Sequence, residues 1–389
     1  PRRRVLFLSF LLPFSILLLS YFVVQFWPVG DRSPLTIDLY HQYASFISEL
    51  RRKIMDGESL FYSWSVGLGT NYYALLAYYA ASPLNLFLVF FPPEHITEAV
   101  TFLIVTKIGL SGMTFAALLS YGMAYDGLFT VRAKEKKADC TSEDIGTDAA
   151  IVAVSTAFAL NAFNLAFSWD IMWLDVIVLL PLVILGLHQL IRRQKFALYT
   201  ISLALTLFVN YYIAFFVCLF TALYFFVSFA TARSEQAERR LTSSSTDEVQ
   251  SAEPQIHFGP TVLRFAFFTL LAVAISAILL LPTGLSLADT SAAGDKFPTT
   301  PSFRFSLFDF MTQQLMNIPP SIRDGLPNVY NGILVFVFLP LYMLSKRIAI
   351  EEKLPHLTLL AFLFISFNFN FLDFIWHGFH YPNQLPYRY

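Results

Sequence analysis

The sequence predicts an all-α polytopic membrane protein, a bundle of helices that crosses a lipid bilayer. Three observations predict this fold class. Nine apolar stretches are long enough to cross a bilayer, the chain is 56% hydrophobic but only 14% charged, and Lys and Arg are unevenly distributed among the loops. Soluble domains carry about 25% charged residues, so much of this surface must face lipid.

Roughly 20 helical residues, at about 1.5 Å each, cross a 30 Å hydrocarbon core. The first stretch follows three arginines, but it is longer than a signal-peptide core and lacks a cleavage site, so we expect it to be retained. Lys195 precedes the short fifth stretch and Arg233 follows the sixth. Both residues are expected on the cytoplasmic side, which is consistent with two crossings. The predicted spans are residues 5–27, 97–120, 149–168, 172–191, 197–210, 212–230, 261–282, 329–345 and 355–372.

Residues 72–91 form a further apolar stretch, which we predict does not cross the membrane. On that assumption 17 of the 26 Lys and Arg residues are cytoplasmic, 8 are external and Lys107 lies in the membrane. A crossing would invert every later loop, against the positive-inside rule. Residues 28–96 are then an external loop, called loop 1 below. The polar segments 122–148 and 231–260 are cytoplasmic loops.

Loop 1 carries the densest chemistry in the chain. Asp38 precedes the stretch 39–55, whose apolar residues recur at helix spacing, as expected of an amphipathic helix at the membrane surface. Asp38 either caps this helix, worth about 1 kcal/mol, or serves as a general base at the membrane–water boundary; one carboxylate can do both. Further substrate contacts predicted in loop 1 are His41, Gln42, Tyr43 and Trp64.

Each of four basic residues has two possible roles. Arg51, Arg52 and Lys53 are either the solvated end of the surface helix, near lipid headgroups, or a clamp on the phosphate of a lipid carrier. Lys107, in mid-span, either pairs with an acid or contacts a lipid phosphate.

Two acids flank a tryptophan in a short external turn. Asp170, Trp173 and Asp175 resemble a carbohydrate-facing cluster, and helix capping is the alternative for the acids. Asp175 lies inside the apolar run, where a charge costs about 2.5–3.5 kcal/mol at the centre of a span and less toward its ends.

The aromatic tail offers weaker candidates for substrate contacts. His377 and His380 are spaced as a metal pair, but without a third ligand nearby interfacial packing is favoured, and we predict no metal site. Arg388, between two tyrosines, is a candidate ligand for phosphate or glycan. The missing initial Met and the end inside an aromatic segment are typical of a fragment of a longer chain.

Several classes of function are disfavoured. The net charge of −1 gives no reason to expect nucleic acid as a partner. Two cysteines, one in a polar loop and one in a span, suggest no disulfide framework. Gly67 and Gly69 lack the strand–turn–helix context of a nucleotide site. We therefore expect no nucleotide donor and no cofactor.

Six motifs resemble those of the bacterial membrane protein YfhO family. The resemblance covers essentially the whole chain, although the polar loops 134–148 and 235–256 are longer than the family requires. The motifs are Asp38-Leu39-Tyr40-x-Gln42-Tyr43, Tyr62-Ser63-Trp64-Ser65-x-Gly67-Leu68-Gly69-Thr70-Asn71, Ser82-Pro83-Leu84-Asn85, Ile171-Met172-Trp173-Leu174-Asp175, Asn210-Tyr211-Tyr212-Ile213 and Asn383-Gln384-Leu385-Pro386-Tyr387-Arg388-Tyr389.

This resemblance implies a GT-C type glycosyltransferase in a bacterial cell membrane, with its active site facing outside. Such an enzyme moves a sugar from a polyprenyl-phosphate donor to an external cell-wall glycopolymer such as lipoteichoic acid, and a separate synthase makes the donor on the inner face. Asp38 then becomes the catalytic base, and Arg388 and residues 51–53 become the phosphate ligands. A transporter or flippase of lipid-linked sugars is the alternative, and a non-catalytic scaffold is a third reading.

Overall fold

The computed structural model describes residues 3–26, 30–122, 142–242, 255–288, 295–323, 325–346, 348–382 and 385. The predicted fold class is confirmed, because nearly all regular structure in these ranges is helical. One short antiparallel pair, β1 (Tyr62–Ser63) and β2 (Thr70–Asn71), lies in loop 1. Arg388 and residues 123–141 and 243–254 of the two predicted cytoplasmic loops lie outside the described residues.

The described α-helices range from four to 32 residues. Two π-helical turns, Leu39–Tyr43 and Leu76–Ala80, and two 3₁₀ helices, Pro83–Phe90 and Pro93–His95, interrupt the α-helical pattern in loop 1. The α-helices are α1 (Arg3–Val23), α2 (Ala44–Asp56), α3 (Tyr72–Leu75), α4 (Ile96–Tyr121), α5 (Ser142–Ala159), α6 (Ala162–Ala166), α7 (Ile171–Arg193), α8 (Ala197–Val209), α9 (Tyr211–Thr242), α10 (Phe258–Leu287), α11 (Leu307–Thr312), α12 (Leu334–Leu344), α13 (Ile350–Asn368) and α14 (Asn370–Trp376).

Six segments of the described chain are long and apolar enough to cross a membrane. They are Arg3–Val23, Pro93–Tyr121, Gly146–Ala166, Ile171–Arg193, Tyr211–Ala237 and Phe258–Leu287. By contrast, α8 has 13 residues and α12 has 11, or about 20 and 17 Å of helix. These two helices and α13 correspond to the remaining predicted spans, whose full crossing stays a prediction.

Helices α1 and α4 run antiparallel. Val5 clusters with Ala116, and the Ser9 carbonyl lies so close to Gly112 that a Cβ at that glycine would collide with it. Small residues at such crossings let membrane helices approach closely. Because α1 and α4 are antiparallel, the chain between them leaves and re-enters the bundle at the same end, called the loop 1 end below.

The later helices alternate in direction. Helix α7 runs parallel to α4, since Lys107 contacts Asp175 near one end and Arg193 contacts Tyr121 near the other. Helix α8 returns to the loop 1 end, where the Asn210 side chain donates to the Tyr78 carbonyl oxygen. Loop 1 and the end of α8 therefore lie at the same end of the bundle, and the side of the membrane that this end faces stays a prediction.

Residues 72–91 form two short helical segments bent by 99° at residues 81–82. Since the chain before and after them lies at the loop 1 end, this geometry favours a re-entrant segment over a crossing. Residues 72–90 are called the bent segment below. It packs between α2, α4, α8 and α10, which positions it beneath the candidate site.

Candidate functional site

Asp38 lies at the start of the first π-helical turn and does not cap it. Its backbone is helical, and its side chain makes no capping hydrogen bond, so the capping interpretation is wrong. The residue before it, Ile37, has a left-handed backbone with φ of 49°, which is strained for a β-branched side chain. Strained residues and π turns both concentrate at functional sites. The predicted single helix over 39–55 is therefore a π turn followed by α2.

The Tyr43 hydroxyl joins Asp38 to a second carboxylate. Its oxygen lies 3.4 Å from Asp38 Oδ2 and 3.2 Å from Asp170 Oδ1, and its single proton is donated to one of them at a time. Asp38 is half-buried and Asp170 is fully buried. Burial, reinforced by these carboxylates, raises the pKa of Tyr43, so the phenol keeps its proton.

An aromatic wall surrounds this acid pair. The Tyr43 ring stacks at 6.3 Å on Trp169 and packs at 5.2 Å against Tyr79. Tyr79 belongs to the second π-helical turn and also contacts Phe46 at 5.0 Å. The two π turns thus face each other across the site. Aromatic faces next to hydrogen-bonding acids are suited to contact with a sugar ring or an isoprenoid chain.

A buried ion pair anchors the bend. Lys107 Nζ lies 2.7 Å from Asp175 Oδ2 and also donates to the Ile171 carbonyl oxygen, while the Ser82 hydroxyl donates at 2.7 Å to Asp175 Oδ1. Of the two readings of Lys107, pairing with an acid is therefore observed. Asp175 ties α4, α7 and the bend together through both of its carboxylate oxygens, and its contact with carbohydrate stays a prediction. Asp170 precedes α7 but makes no capping hydrogen bond.

Side-chain amides satisfy the backbone carbonyls that the bend releases. Asn210 donates to Tyr78 O at 2.9 Å, and Asn85 donates to Ala80 O at 3.0 Å. Irregular backbone at membrane depth is tolerated only where protein or a water-filled cavity satisfies it. The bend is therefore a fixed feature of the bundle.

The basic run of loop 1 is engaged with protein groups. Arg51 donates to the carbonyl oxygens of Leu88 and Phe91, which fixes the exit of the bent segment. Arg52 pairs with Glu49 and Glu58, and Lys53, 2% exposed, donates to backbone oxygens in the chain that follows α2. A phosphate clamp at these three residues stays a prediction, and it requires exchange of these contacts.

The other candidates fall into three environments. His41 and Gln42 are exposed beside Asp38, and Trp64 is 78% exposed near the hairpin. Trp173 is buried under Phe163 and Phe167, away from solvent. His41, Gln42 and Trp64 are accessible to a ligand, whereas Trp173 packs inside the bundle and stabilises α7.

The tail packs against the loop 1 end. His377 is fully buried and its Nδ1 lies 2.9 Å from the Asp373 carbonyl oxygen, while His380 contacts the Tyr212 ring at 5.7 Å. Both side chains therefore contact neighbouring protein groups. No group of three or more His, Cys, Asp or Glu side chains suited to a metal ion occurs in the described ranges.

Sequence reasoning missed the bridging role of Tyr43 and the contribution of Tyr79. Nothing local signals either contact, because Tyr43 and Asp170 are 127 residues apart. The anchor at Ser82 had a readable signal, since Ser followed by Pro is a common start of a helix. Asn210 was noticed only as a polar boundary between two spans.

A comparison with family models matches residues 9–389 to the family described as bacterial membrane protein YfhO. No curated protein and no solved structure matches the chain. The family match covers nearly every residue, including the acid pair, the bent segment and the spans that hold them. This chain belongs to the bacterial membrane protein YfhO family.

Proposed function

We propose that the chain is a GT-C type glycosyltransferase that moves a sugar from a polyprenyl-phosphate carrier to an external cell-wall glycopolymer such as lipoteichoic acid. The observation that carries the proposal is the Tyr43 hydroxyl shared by Asp38 and Asp170. The predicted orientation puts this pair at the external membrane boundary, within reach of a lipid-linked sugar and a polymer in water.

The reaction is a direct displacement. An acceptor hydroxyl attacks the anomeric carbon, a new carbon–oxygen bond forms, and the bond from that carbon to the phosphate oxygen breaks. Asp38 takes the hydroxyl proton as general base, and polyprenyl phosphate leaves with the bonding electron pair. Tyr43 and Asp170 hold the Asp38 carboxylate in place. Stabilising the leaving phosphate is the task predicted for Arg388 and residues 51–53.

A transporter or flippase of lipid-linked sugars remains the second candidate. The buried Lys107–Asp175 pair and the bent segment favour it, because ion pairs and broken helices inside the bundle are common in transporters. The two functions differ in whether any residue is needed for bond making after the lipid-linked sugar has reached the outer face.

Asp38→Asn separates the two candidates. It keeps the size of the side chain and removes its basicity, so sugar transfer to the polymer should fall by about 10²–10⁴-fold. Transfer is measured in cells that lack the native gene, alongside protein abundance and the outer-face level of lipid-linked sugar, which should not change. Asp31→Asn, an exposed acid of the same loop, is the matched control. Full transfer by Asp38→Asn would contradict the proposed chemistry and favour the transporter.

A further inference from the structure

A cavity of about 530 Å³, lined by both polar and apolar side chains, opens beside α2. It lies between α2, the turn at residues 65–67 that follows β1, and the start of α4. Its volume falls within the range of small-molecule sites in proteins. The mechanism proposed above does not use it.

The cavity presents hydroxyl groups that lack partners. Ser45 and Ser48 line it from α2, and neither side chain forms a hydrogen bond within the described part of the chain. Glu49, on the same face, is only 7% exposed. Its carboxylate is held by Arg52 and by the Ser63 hydroxyl. Two free hydroxyls beside an oriented carboxylate form a set of donors and acceptors suited to a polyhydroxylated ligand.

The charge balance of the wall disfavours an anion. Arg52 is the one cation among the described residues that line the cavity, and it contacts the carboxylates of Glu49 and Glu58 at 2.9 and 2.6 Å. Lys53 Nζ lies 3.8 Å from Glu49 and 3.5 Å from Glu58, so the two carboxylates and the two cations balance each other. A phosphate bound here would have to displace a carboxylate from Arg52, the exchange that the predicted phosphate clamp also requires, whereas an uncharged ligand rich in hydroxyls binds with these ion pairs in place.

An exposed aromatic ring stands beside the cavity. Trp64, adjacent to the lining residue Ser65, is 78% exposed and packs edge-on against Tyr62 at 4.9 Å. Gly69 approaches both rings so closely that a Cβ there would meet Tyr62 Oη and Trp64. The turn therefore fixes Trp64 in an exposed position. A fixed, exposed indole supplies an apolar platform at low entropic cost.

The cavity and the acid pair share α2 and its preceding π turn. Phe46 lines the cavity and also contacts Tyr79 of the aromatic wall. Asp38 precedes Ser45 by seven residues, which is about 10 Å along a helix. The cavity therefore adjoins the aromatic wall of the candidate site through Phe46.

We propose that this cavity is an acceptor subsite that binds an uncharged sugar unit of the glycopolymer. The assignment deepens the proposed glycosyltransferase function and rests on it for the identity of the polymer. Sugar hydroxyls bind Ser45, Ser48 and Glu49, and Trp64 covers an apolar face of the ring. The subsite selects sugar units of the polymer over its phosphate units.

The test is saturation-transfer NMR on the detergent-purified full chain, with neutral trisaccharides of glucose and of N-acetylglucosamine as probes and glycerol phosphate oligomers as the anionic comparator. A neutral trisaccharide should bind in preference to the oligomers. Ser45→Ala with Ser48→Ala, and separately Trp64→Ala, should weaken its binding about tenfold. Leu68→Ala is the matched control, since Leu68 is 99% exposed in the same turn and does not line the cavity.

Three outcomes overturn the subsite: no trisaccharide binds, the anionic oligomer binds more tightly, or the serine and Trp64 variants bind as well as the parent. The Asp38→Asn variant separates this proposal from the proposed function. Sugar binding retained with transfer lost supports both, whereas sugar binding retained with transfer unchanged removes only the catalytic role of Asp38. In the kinetics of sugar transfer, we expect the cavity variants to have a higher KM for the acceptor and an unchanged kcat.

Discussion

Two charge clusters of similar composition lie at different depths of this protein. The Lys107–Asp175 pair, 0% and 5% exposed, is enclosed by spans. In loop 1, Arg52 and Glu58 are 39% and 45% exposed and face water. Removal of one partner strands an uncompensated charge in the first case, whereas water replaces the partner in the second. The first cluster therefore fixes the fold, and the second is free to exchange partners.

The largest effect should come from breaking the buried pair. Lys107→Met leaves the Asp175 carboxylate without its cation and should destabilise the protein by about 3–5 kcal/mol. Lys107→Met combined with Asp175→Asn should recover most of that loss, since no charge is then stranded. Unfolding of the purified protein in a graded detergent series measures both. A double variant as unstable as the single one would mean that specific geometry, and not the stranded charge, sets the cost.

A smaller effect is expected from Ser82→Ala. The hydroxyl donates to Asp175 and accepts from the Leu84 amide at the start of the 3₁₀ helix, and a lost cap of this kind costs about 0.5–2 kcal/mol. Amide exchange across residues 76–85 should accelerate about tenfold, and Ser82→Thr should restore it.

Ser306→Ala is the matched control for the bend. Ser306 also caps a short helix, α11, through a complete capping box, but it lies outside the bent segment. Loss of the Ser306 hydroxyl should leave amide hydrogen exchange at residues 76–85 unchanged. Equal acceleration by both alanine variants would show that the effect is general loosening and not release of the Asp175 anchor.

The smallest effect should come from acidification, which acts on the ion pairs that Arg52 forms with Glu49 and Glu58 in loop 1. The hydrogen bond from Arg52 lowers the pKa of Glu49 below its usual value of 4.5. This contribution to stability is therefore complete above that pH and is lost as the pH falls through the folded-state value. Fluorine NMR of fluorotryptophan at Trp64, next to Ser63, should show the change, and Glu49→Gln should lack it. A Glu49→Gln signal that responds to acid in the same way as the parent signal would contradict it.

Much of the fold could be predicted, because lipid imposes simple rules on sequence. Span length, Lys and Arg asymmetry and the prolines near Ser82 each report on a local physical requirement. The candidate site was predictable only in part. Asp38 stood out because it directly precedes the amphipathic stretch 39–55 and begins a motif that resembles the family, yet its local pattern suggested a cap that does not form.

The remaining contacts depend on pairs of residues distant in the chain. Asp170 and Asp175 look alike in the sequence, but one meets Tyr43 and the other meets Lys107 and Ser82. A difference of five positions on α7 puts them at different depths and next to different partners. No periodicity in the sequence encodes that choice.

The amino-acid sequence by itself determined that this protein is a multi-helix membrane bundle of the YfhO family, and it indicated which loop carries the chemistry. Apolar length and charge asymmetry suffice for the first, because transfer into lipid depends on each segment alone. Only the tertiary structure decided which charges are fixed in ion pairs, that Tyr43 joins two acids, and that α2 lines a cavity. Those features arise from packing between segments that are distant in the chain, and the sequence of one segment does not identify its packing partners.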